Sequence, residues 1–371
     1  MAVHVESFNI ESFRGISGLA LETLNHVNII AGDNNSGKTS VLEALMFLGA
    51  PLSFSRVLYI SQVRAATNAA AAASYYENFI NLFPRNTEQL TISINSICKD
   101  GPVSFKLVGE QTRTLLTPDE MFQDYNLGAR KRLVSQHING LEVVAFKGEL
   151  YSRFGEYYEN QNVEFHHHSK TVGSATVRGG LLRAVYLSPV SHMRRSIFNS
   201  IVSDNQYKEI CINVLRLFDP HIVDLLYLKN EMNGLSVEYI KHETLGNMPI
   251  STYGDGIKKV LSLANGIAEA ANGILLIDEL ETAIHAKYYD DIFRFIVKAC
   301  KQFKVQLFIT THSMEAIDKL LATQAYDNQG ADDIAVITFK KESHNAQTLS
   351  RTLSGRRVYT NRDEFGFEVR L

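Results

Sequence analysis

Cysteine is scarce in this sequence, and the residues that do occur stand far apart. Cys98, Cys211 and Cys300 form no CxxC pair and have no partner at zinc-ligand spacing. A zinc site needs paired ligands and a disulfide framework needs many cysteines, so this usage indicates neither. It is typical of a protein in a reducing compartment.

Long apolar runs are also missing. No segment approaches the roughly 18 consecutive apolar residues of a membrane span. Residues 1–15 carry acidic side chains and alternate in polarity, whereas a signal peptide needs a basic start and an unbroken apolar stretch. We therefore expect a cytoplasmic protein without a membrane segment.

The chain has little net charge. Its 371 residues give a formal charge of −3, so any contact with DNA would need local basic patches. Candidate patches are residues 128–132, 192–195 and 354–362. We interpret them as solvated loops, and a DNA contact is the alternative.

Both ends of the chain alternate buried strands with helices. A strand is predicted at 26–32 and an amphipathic helix follows it to Gly49. The segment from 250 to 340 alternates helix and strand three times. Such alternation indicates an α/β fold with a mixed, mostly parallel sheet and helices on both of its faces.

The middle of the chain, about 51–245, is heterogeneous. Residues 64–83 are alanine-rich and place Tyr75, Phe79 and Phe83 at helical spacing, which predicts a helix. Strand-like segments, a second helix and a hairpin near 224–242 follow. No heptad series or internal repeat is found.

The segment GDNNSGKT at 32–39 matches GxxxxGK[ST] without a mismatch, with a strand before it and a helix after it. In such a loop the backbone N–H groups face phosphate oxygens, Lys38 reaches the β- and γ-phosphates, and the Thr39 hydroxyl ligates Mg²⁺. A glycine-rich turn with an incidental lysine is the alternative. The expected nucleotide contacts are Gly32, Asn34, Asn35, Ser36, Gly37, Lys38, Thr39 and Ser40.

Two acidic residues end the apolar strand ILLIDE. Asp278 is expected to hold Mg²⁺ through water, and Glu279 to orient and polarise the attacking water. The alternative is that both acids only improve solubility. His312, in TTHS at the end of the next strand, is expected to bond the γ-phosphate and this water, although a structural histidine is its alternative.

A second glycine motif, ISTYGDGIKKV at 250–260, opens the helix before the acidic strand. Ser251, Gly254 and Gly256 at a helix N-terminus predict another anion-binding site. One chain cannot readily place two such helix ends on one γ-phosphate.

These motifs, together with FNIESFRGI near the N-terminus, resemble the ABC-type ATPase domain of the RecF, OLD and SMC-like group. That group includes short ATP-binding proteins of bacterial phage-defence loci. The resemblance covers about 1–50 and 245–340 and implies a P-loop NTPase fold of ABC-ATPase type with an inserted α+β lobe. The implied division is 1–50 and 246–371 as two halves of the ATPase head, and 51–245 as the lobe.

The resemblance also implies roles for individual residues. Ser251, Gly254 and Gly256 become signature contacts made to the nucleotide of a partner subunit, and residues 281–285 lie at the dimer interface. Arg14 lies near the nucleotide. Gln62 is the nearest candidate for the glutamine that senses the γ-phosphate, although the alanine-rich insertion obscures the comparison.

Three features of the sequence differ from other members of this group. About 200 residues without heptads separate the two halves, which favours a RecF-like globular lobe over an SMC coiled coil. The Toprim nuclease domain of OLD proteins is not recognisable, so we expect no nuclease here. The run His166 to His168 suits a metal, but neighbouring strand residues point to opposite faces, so solvated or core histidines are the favoured interpretation.

We therefore predict an ATPase that uses ATP and Mg²⁺ as a conformational switch. ATP would close a head-to-head homodimer or a higher homo-oligomer, and this motion would control a separate effector, a nuclease or toxin, in phage defence. A RecF-like DNA-repair ATPase that binds DNA directly is the alternative. A transporter subunit is less favoured, because the signature segment and the N-terminal strands resemble the RecF and OLD group more closely.

Overall fold

The computed structural model describes residues 2–64, 74–85, 89–116, 141–166, 182–193, 197–229, 234, 236–324, 332–341 and 348–365. The strands are β1 Val5–Phe13, β2 Ile16–Leu21, β3 Val27–Gly32, β4 Leu90–Cys98, β5 Gly101–Leu116, β6 Leu141–Phe154, β7 Tyr157–His166, β8 Ala184–Leu187, β9 Ile222–Lys229, β10 Ser236–His242, β11 Gly246–Pro249, β12 Ile274–Ile277, β13 Gln306–Thr310, β14 Ile334–Lys341 and β15 Thr348–Ser354. The helices are α1 Lys38–Leu45, α2 Phe54–Gln62, α3 Tyr75–Ile80, α4 Asn205–Leu215, α5 Asp255–Glu269, α6 Tyr289–Gln302, α7 Met314–Leu321 and α8 Gly355–Phe365.

A six-stranded sheet in the order β15-β14-β3-β13-β12-β8 forms the centre of the molecule. All neighbours from β14 to β8 pair in parallel, and only β15 runs antiparallel. The strands β3, β12 and β13 are buried along their whole length, as strands covered on both faces must be. Their carboxyl ends meet at one edge, which positions the candidate site.

The two faces of this sheet belong to different hydrophobic clusters. Leu275 and Ile277 pack in the cluster that α4 to α7 cover. Ile274 and Leu276, on the opposite face, pack with α1 and with the hairpin of β1 and β2. This alternation follows from the two-residue period of a strand. Helices therefore lie on both faces, as predicted.

A second, antiparallel sheet runs in the order β2-β1-β4-β5-β6-β7. Gly109 and Gly148 face each other across β5 and β6, and a Cβ at Gly109 would meet the ring of Phe146 at 2.5 Å. The two glycines thus leave room for that buried ring, which packs against Phe79 and Phe83. β9, β10 and β11 form a smaller sheet that contains the predicted hairpin.

The segment 51–245 shares its sheets with the rest of the chain. Strand β4 pairs with β1, and β8 adds an edge to the central sheet beside β12. The antiparallel sheet therefore contains strands from both sides of residue 50, and the central sheet contains strands from all three predicted segments. The division at residues 50 and 245 remains a prediction. No helix among the described residues is long and apolar enough to span a membrane.

One local prediction was confirmed in part and another was wrong. Within the predicted helix 64–83, residues 65–73 lie outside the described residues, and α3 forms the helical part of the rest, beginning after the capping box of Ser74 and Glu77. Tyr76 is buried and Tyr75 is exposed, so Tyr75 does not share a buried helix face with Phe79 and Phe83 as the spacing predicts. Residues 354–362, predicted as a solvated loop, form the end of β15 and most of α8, where Arg362 pairs with Asp318 of α7.

Candidate functional site

The loop 32–39 lies between β3 and α1 and has two glycines in the left-handed region. Gly32 has a φ of +145°, and a Cβ there would lie 2.6 Å from the carbonyl oxygen of Phe339. Gly37, with a φ of +98°, precedes α1 and packs against Ile16. Both positions favour glycine, which lets the backbone curl into a loop of the kind that can face an anion.

Lys38 points into this loop. Its ammonium group donates to the carbonyl oxygens of Gly32 at 2.9 Å and Asp33 at 2.7 Å, and its side chain is buried. Asp33, Asn34 and Asn35 remain exposed. The lysine charge is therefore held at the centre of the cradle, where phosphate oxygens would replace the carbonyl partners.

Thr39 meets Asp278 at the edge of the sheet. The threonine hydroxyl lies 3.0 and 3.1 Å from the two carboxylate oxygens. The hydroxyl of Thr310 donates to Oδ1 of Asp278 at 2.6 Å, and the phenol of Tyr186 donates to Oδ2 at 3.2 Å. Burial, and then the charge of Asp278, raise the pKa of Tyr186, so its phenol stays a donor.

This donor set fits Mg²⁺ better than a transition metal. Hydroxyl and carboxylate oxygens are ligands that Mg²⁺ prefers, and it commonly takes only one or two from the protein and the rest from phosphates and water. Among the described residues, no group of three or more His, Cys, Asp or Glu side chains is placed to hold a metal.

Glu279 follows Asp278 in a strained conformation. Its φ is +49°, which costs a non-glycine residue about 1–3 kcal/mol and is frequent at functional sites. The Glu279 N–H donates to the Thr310 hydroxyl at 2.8 Å, and its carboxylate accepts from Thr282 at 3.3 Å. Thr310 thus fixes both acids at once.

His312 leaves the sheet from β13, which lies between the strand of the loop and the strand of the acids. Its backbone N–H donates to Oε1 of Glu281 at 2.8 Å, and the histidine is half-buried. The next residue, Ser313, caps α7. The structure thus puts His312 on the sheet edge shared with the loop and the acids.

The second glycine motif lies at the start of α5. Ser251 and Gly254 are exposed, and a Cβ at Gly254 would meet no atom within 4 Å. Gly256 is half-buried, and a Cβ there would lie 3.3 Å from the ring of Phe218. These residues form an open helix N-terminus on the surface.

A cavity of about 670 Å³ adjoins the loop on the side of the β1–β2 hairpin. Arg14 and Arg64 line it, and both pair with the buried carboxylate of Glu43 on α1, at 2.8 and 2.6 Å. Arg64 also donates to Ser40 at 3.1 Å. Burial raises the pKa of Glu43, and the two guanidinium groups oppose that rise.

Gln62 is held by its neighbours rather than by the loop. Its side-chain amide donates to Ser61 at 2.9 Å and accepts from Asn78 at 3.1 Å. At this end of α2 it is Ser61 and Arg64 that line the cavity. The role of Gln62 remains a prediction without a described contact to the loop.

Lys259 is buried close to the acids, and His192 is buried near Lys259. Burial lowers the pKa of Lys259 to about 8, against the pull of Glu281, Asp278 and Glu279. Burial and the Lys259 charge lower the pKa of His192, which lies in the turn Ser191–Met193 that packs on α5. Sequence spacing gave no signal for this contact.

The remaining sequence candidates are only partly described. His166 ends β7 opposite Ala145, while His167 and His168 lie outside the described residues. Patch 128–132 and the arginines of patch 192–195 also lie outside them. The three cysteines are buried thiols.

Comparisons with known proteins add to this geometry. A protein-family model described as "AAA domain, putative AbiEii toxin, Type IV TA system" matches residues 125–318, just over half of the chain. The matched range contains the second glycine motif, the acids and His312, and it begins after the loop 32–39.

Individual relatives are similar to different extents. An ATP/GTP phosphatase of Helicobacter pylori is 24% identical over 333 residues, 85% of this chain and 87% of that protein. The DNA replication and repair protein RecF of Shewanella pealeana is 36% identical over 109 residues, 29% of this chain and 28% of RecF. This chain thus spans little more than a quarter of RecF.

A solved structure supports the fold. The Smc head domain with an extended coiled coil, bound to the C-terminal domain of ScpA derived from Pyrococcus furiosus, is similar at a TM-score of 0.51 and 11% identity. The match covers 98% of this chain and 100% of that one. The predicted fold class is confirmed.

Proposed function

The chain belongs to this AAA-domain family and is an ABC-type ATPase of the RecF and SMC-like group, and from this premise we propose that it hydrolyses ATP to ADP and phosphate at the loop 32–39. The observation that carries the proposal is the contact of Thr39 with Asp278, which joins the loop to the acidic strand at 3.0 Å. Mg²⁺ bound there would supply the charge that stabilises the transferring phosphoryl group.

Each nearby residue has a role in the proposed reaction. Lys38 binds the β- and γ-phosphates, and Thr39 with Asp278 holds the metal. Glu279 orients and polarises the attacking water from its strained backbone position just after the buried strand. His312 bonds the γ-phosphate from the neighbouring strand end.

The rest of the nucleotide extends into the cavity beside the loop. Its volume of about 670 Å³ suits a small ligand. Arg14 and Arg64 share one carboxylate, Glu43, so this wall carries an excess positive charge. That charge favours an anionic nucleotide over uncharged ligands.

A second subunit completes the site in this proposal. Ser251 and Gly254 lie exposed at a helix N-terminus, open to a phosphate from outside the chain. ATP would close a head-to-head homodimer, with residues 281–285 at the interface, and hydrolysis would reopen it. Binding energy is thereby converted into motion.

We further propose that this motion controls a separate effector, a nuclease or toxin, in bacterial phage defence. The family description, which names a toxin of a type IV toxin–antitoxin system, supports such a setting. Direct binding of DNA is the second candidate, and the local similarity to RecF favours it.

A carboxylate-to-amide substitution tests the enzymatic part. Glu279→Gln keeps the side-chain size but cannot polarise water, so hydrolysis should fall by about 100-fold or more while ATP affinity stays within a few-fold. Glu209→Gln, on an exposed position of α4, is the matched control with wild-type turnover. Unchanged turnover in Glu279→Gln would place the base elsewhere.

The assembly and the partner are tested with the same variant. Glu279→Gln with ATP should elute as a dimer in size-exclusion chromatography, and as a smaller species without ATP. Stimulation of wild-type hydrolysis by duplex DNA would favour the RecF-like alternative over effector control.

A further inference from the structure

We propose that Tyr186 is a positioning residue that fixes the carboxylate of Asp278 for Mg²⁺. The inference rests on the proposed ATP site and adds a residue that no sequence motif marks. Its chemistry is a hydrogen bond to the metal-binding carboxylate, made from the strand next to it.

The sheet register brings Tyr186 to this carboxylate. β8 lies parallel to β12, with Tyr186 opposite Leu276, and both side chains pack in the same hydrophobic cluster. Asp278 comes two residues after Leu276, so its side chain points to the same face. The phenol oxygen lies 3.2 Å from Oδ2 of Asp278, and only 9% of Tyr186 is exposed.

Hydroxyl groups contact both carboxylate oxygens of Asp278. Thr310 holds Oδ1 at 2.6 Å and Tyr186 holds Oδ2 at 3.2 Å, while Thr39 contacts both. Thr310 and Tyr186 come from strands on the two sides of β12. The carboxylate plane is therefore fixed from both sides.

Removal of the Tyr186 hydroxyl would take away the contact that holds the Asp278 carboxylate from the side of β8. Mg²⁺ requires near-ideal octahedral geometry, so it tolerates a misaligned carboxylate poorly. Loss of a hydrogen-bond partner behind a metal ligand typically costs 10- to 100-fold in metal affinity or activity. The effect should thus appear in the metal dependence of nucleotide binding rather than in nucleotide binding itself.

The chain offers a matched control in Tyr207. This tyrosine is buried too and donates to a backbone carbonyl, that of Ala264, at 2.7 Å. It packs in the cluster on the other face of the sheet. Tyr207→Phe removes the same atom from the core without touching Asp278.

The experiment titrates MgCl₂ against the affinity for a fluorescent ATP analogue in wild type, Tyr186→Phe and Tyr207→Phe, with EDTA as the metal-free reference. In Tyr186→Phe the Mg²⁺ concentration for half-maximal gain in affinity should rise about 10-fold or more, while the affinity in EDTA stays within two-fold. Tyr207→Phe should match wild type in both. In an Asp278→Asn background the effect of Tyr186→Phe should vanish, because the two residues act as a unit.

Three results would overturn the inference. One is a wild-type Mg²⁺ dependence in Tyr186→Phe, and another is an equal loss of affinity with and without metal. The third is a Tyr186→Phe protein that fails to fold while Tyr207→Phe folds, since this would assign the phenol to stability alone. If wild type itself gains no affinity from Mg²⁺, the proposed ATP site fails instead, so the two failures are distinguishable.

Discussion

Replacement of Lys259 by methionine should make the protein more stable, because the wild-type fold buries the ammonium group of this lysine. Lys259 is 2% exposed, and within the described part of the chain its Nζ donates no hydrogen bond. Burial lowers its pKa from 10.5 to about 8. Methionine fills a similar volume and needs no hydrogen-bond partner.

The size of the gain follows from the pKa. The unfolded chain holds the lysine proton more tightly than the folded protein, so this residue makes the free energy of unfolding rise with pH between about 8 and 10.5. At about 1.36 kcal/mol for a tenfold change in proton affinity, Lys259→Met should gain about 3 kcal/mol at pH 7. At pH 9.5 the folded lysine is already neutral, and the gain should fall to about 1 kcal/mol.

Urea denaturation at both pH values measures these gains. Lys258→Met is the matched control, because the neighbouring lysine pairs at 3.4 Å with the exposed Asp255, and its change should stay within about 0.5 kcal/mol. A Lys259→Met protein that is less stable than wild type by more than about 1 kcal/mol, or a gain that does not shrink at high pH, would refute the reasoning.

Further predictions concern the loop and the second glycine motif. Lys38→Ala should abolish ATP binding, since the cradle loses its buried positive charge, and affinity within a few-fold of wild type would contradict this. Gly32→Ala places a Cβ 2.6 Å from the Phe339 carbonyl oxygen at a φ of +145°, so this variant should lose about 2 kcal/mol or more of stability. Gly15→Ala, whose Cβ would meet no atom within 4 Å, serves as the control. Equal denaturation midpoints of the two variants would contradict this prediction. Gly254→Asp should block closure of the dimer but not nucleotide binding. Mixing this variant with Lys38→Ala subunits should restore ATPase activity at one composite site. The absence of such rescue would rule out a second glycine motif that acts on the nucleotide of the partner subunit.

The central sheet could be predicted because its strands are continuous apolar runs bounded by motifs. The carboxyl ends of parallel strands lie at the same edge of a sheet, which predicts that the loop after β3 lies close to Asp278 and His312. Thr39 does contact Asp278. Register and sheet order are tertiary properties. The four-residue strand β8 gave too short a pattern to be recognised, and Tyr186 could not be predicted with it.

The cavity shows a second limit of sequence patterns. Glu43 stands on a predicted helix, but its two partners, Arg14 and Arg64, come from a hairpin turn and from a turn after α2. Helical spacing does not say which distant segments a helix face will meet. The place of a glutamine in the chain therefore predicts Gln62, which lies two positions from Arg64 in the cavity lining.

The position of β3 has a consequence for synthesis. This early strand is flanked by β13 and β14, and Val27 pairs with Leu307 and Ile334. Translation runs at about 5–20 residues per second, so the phosphate loop emerges tens of seconds before the strands that support it. Until then the β3 edge must stay away from other chains. A polypeptide cut short before β13 leaves this strand without either neighbour, so the ability to bind ATP would mark a finished chain.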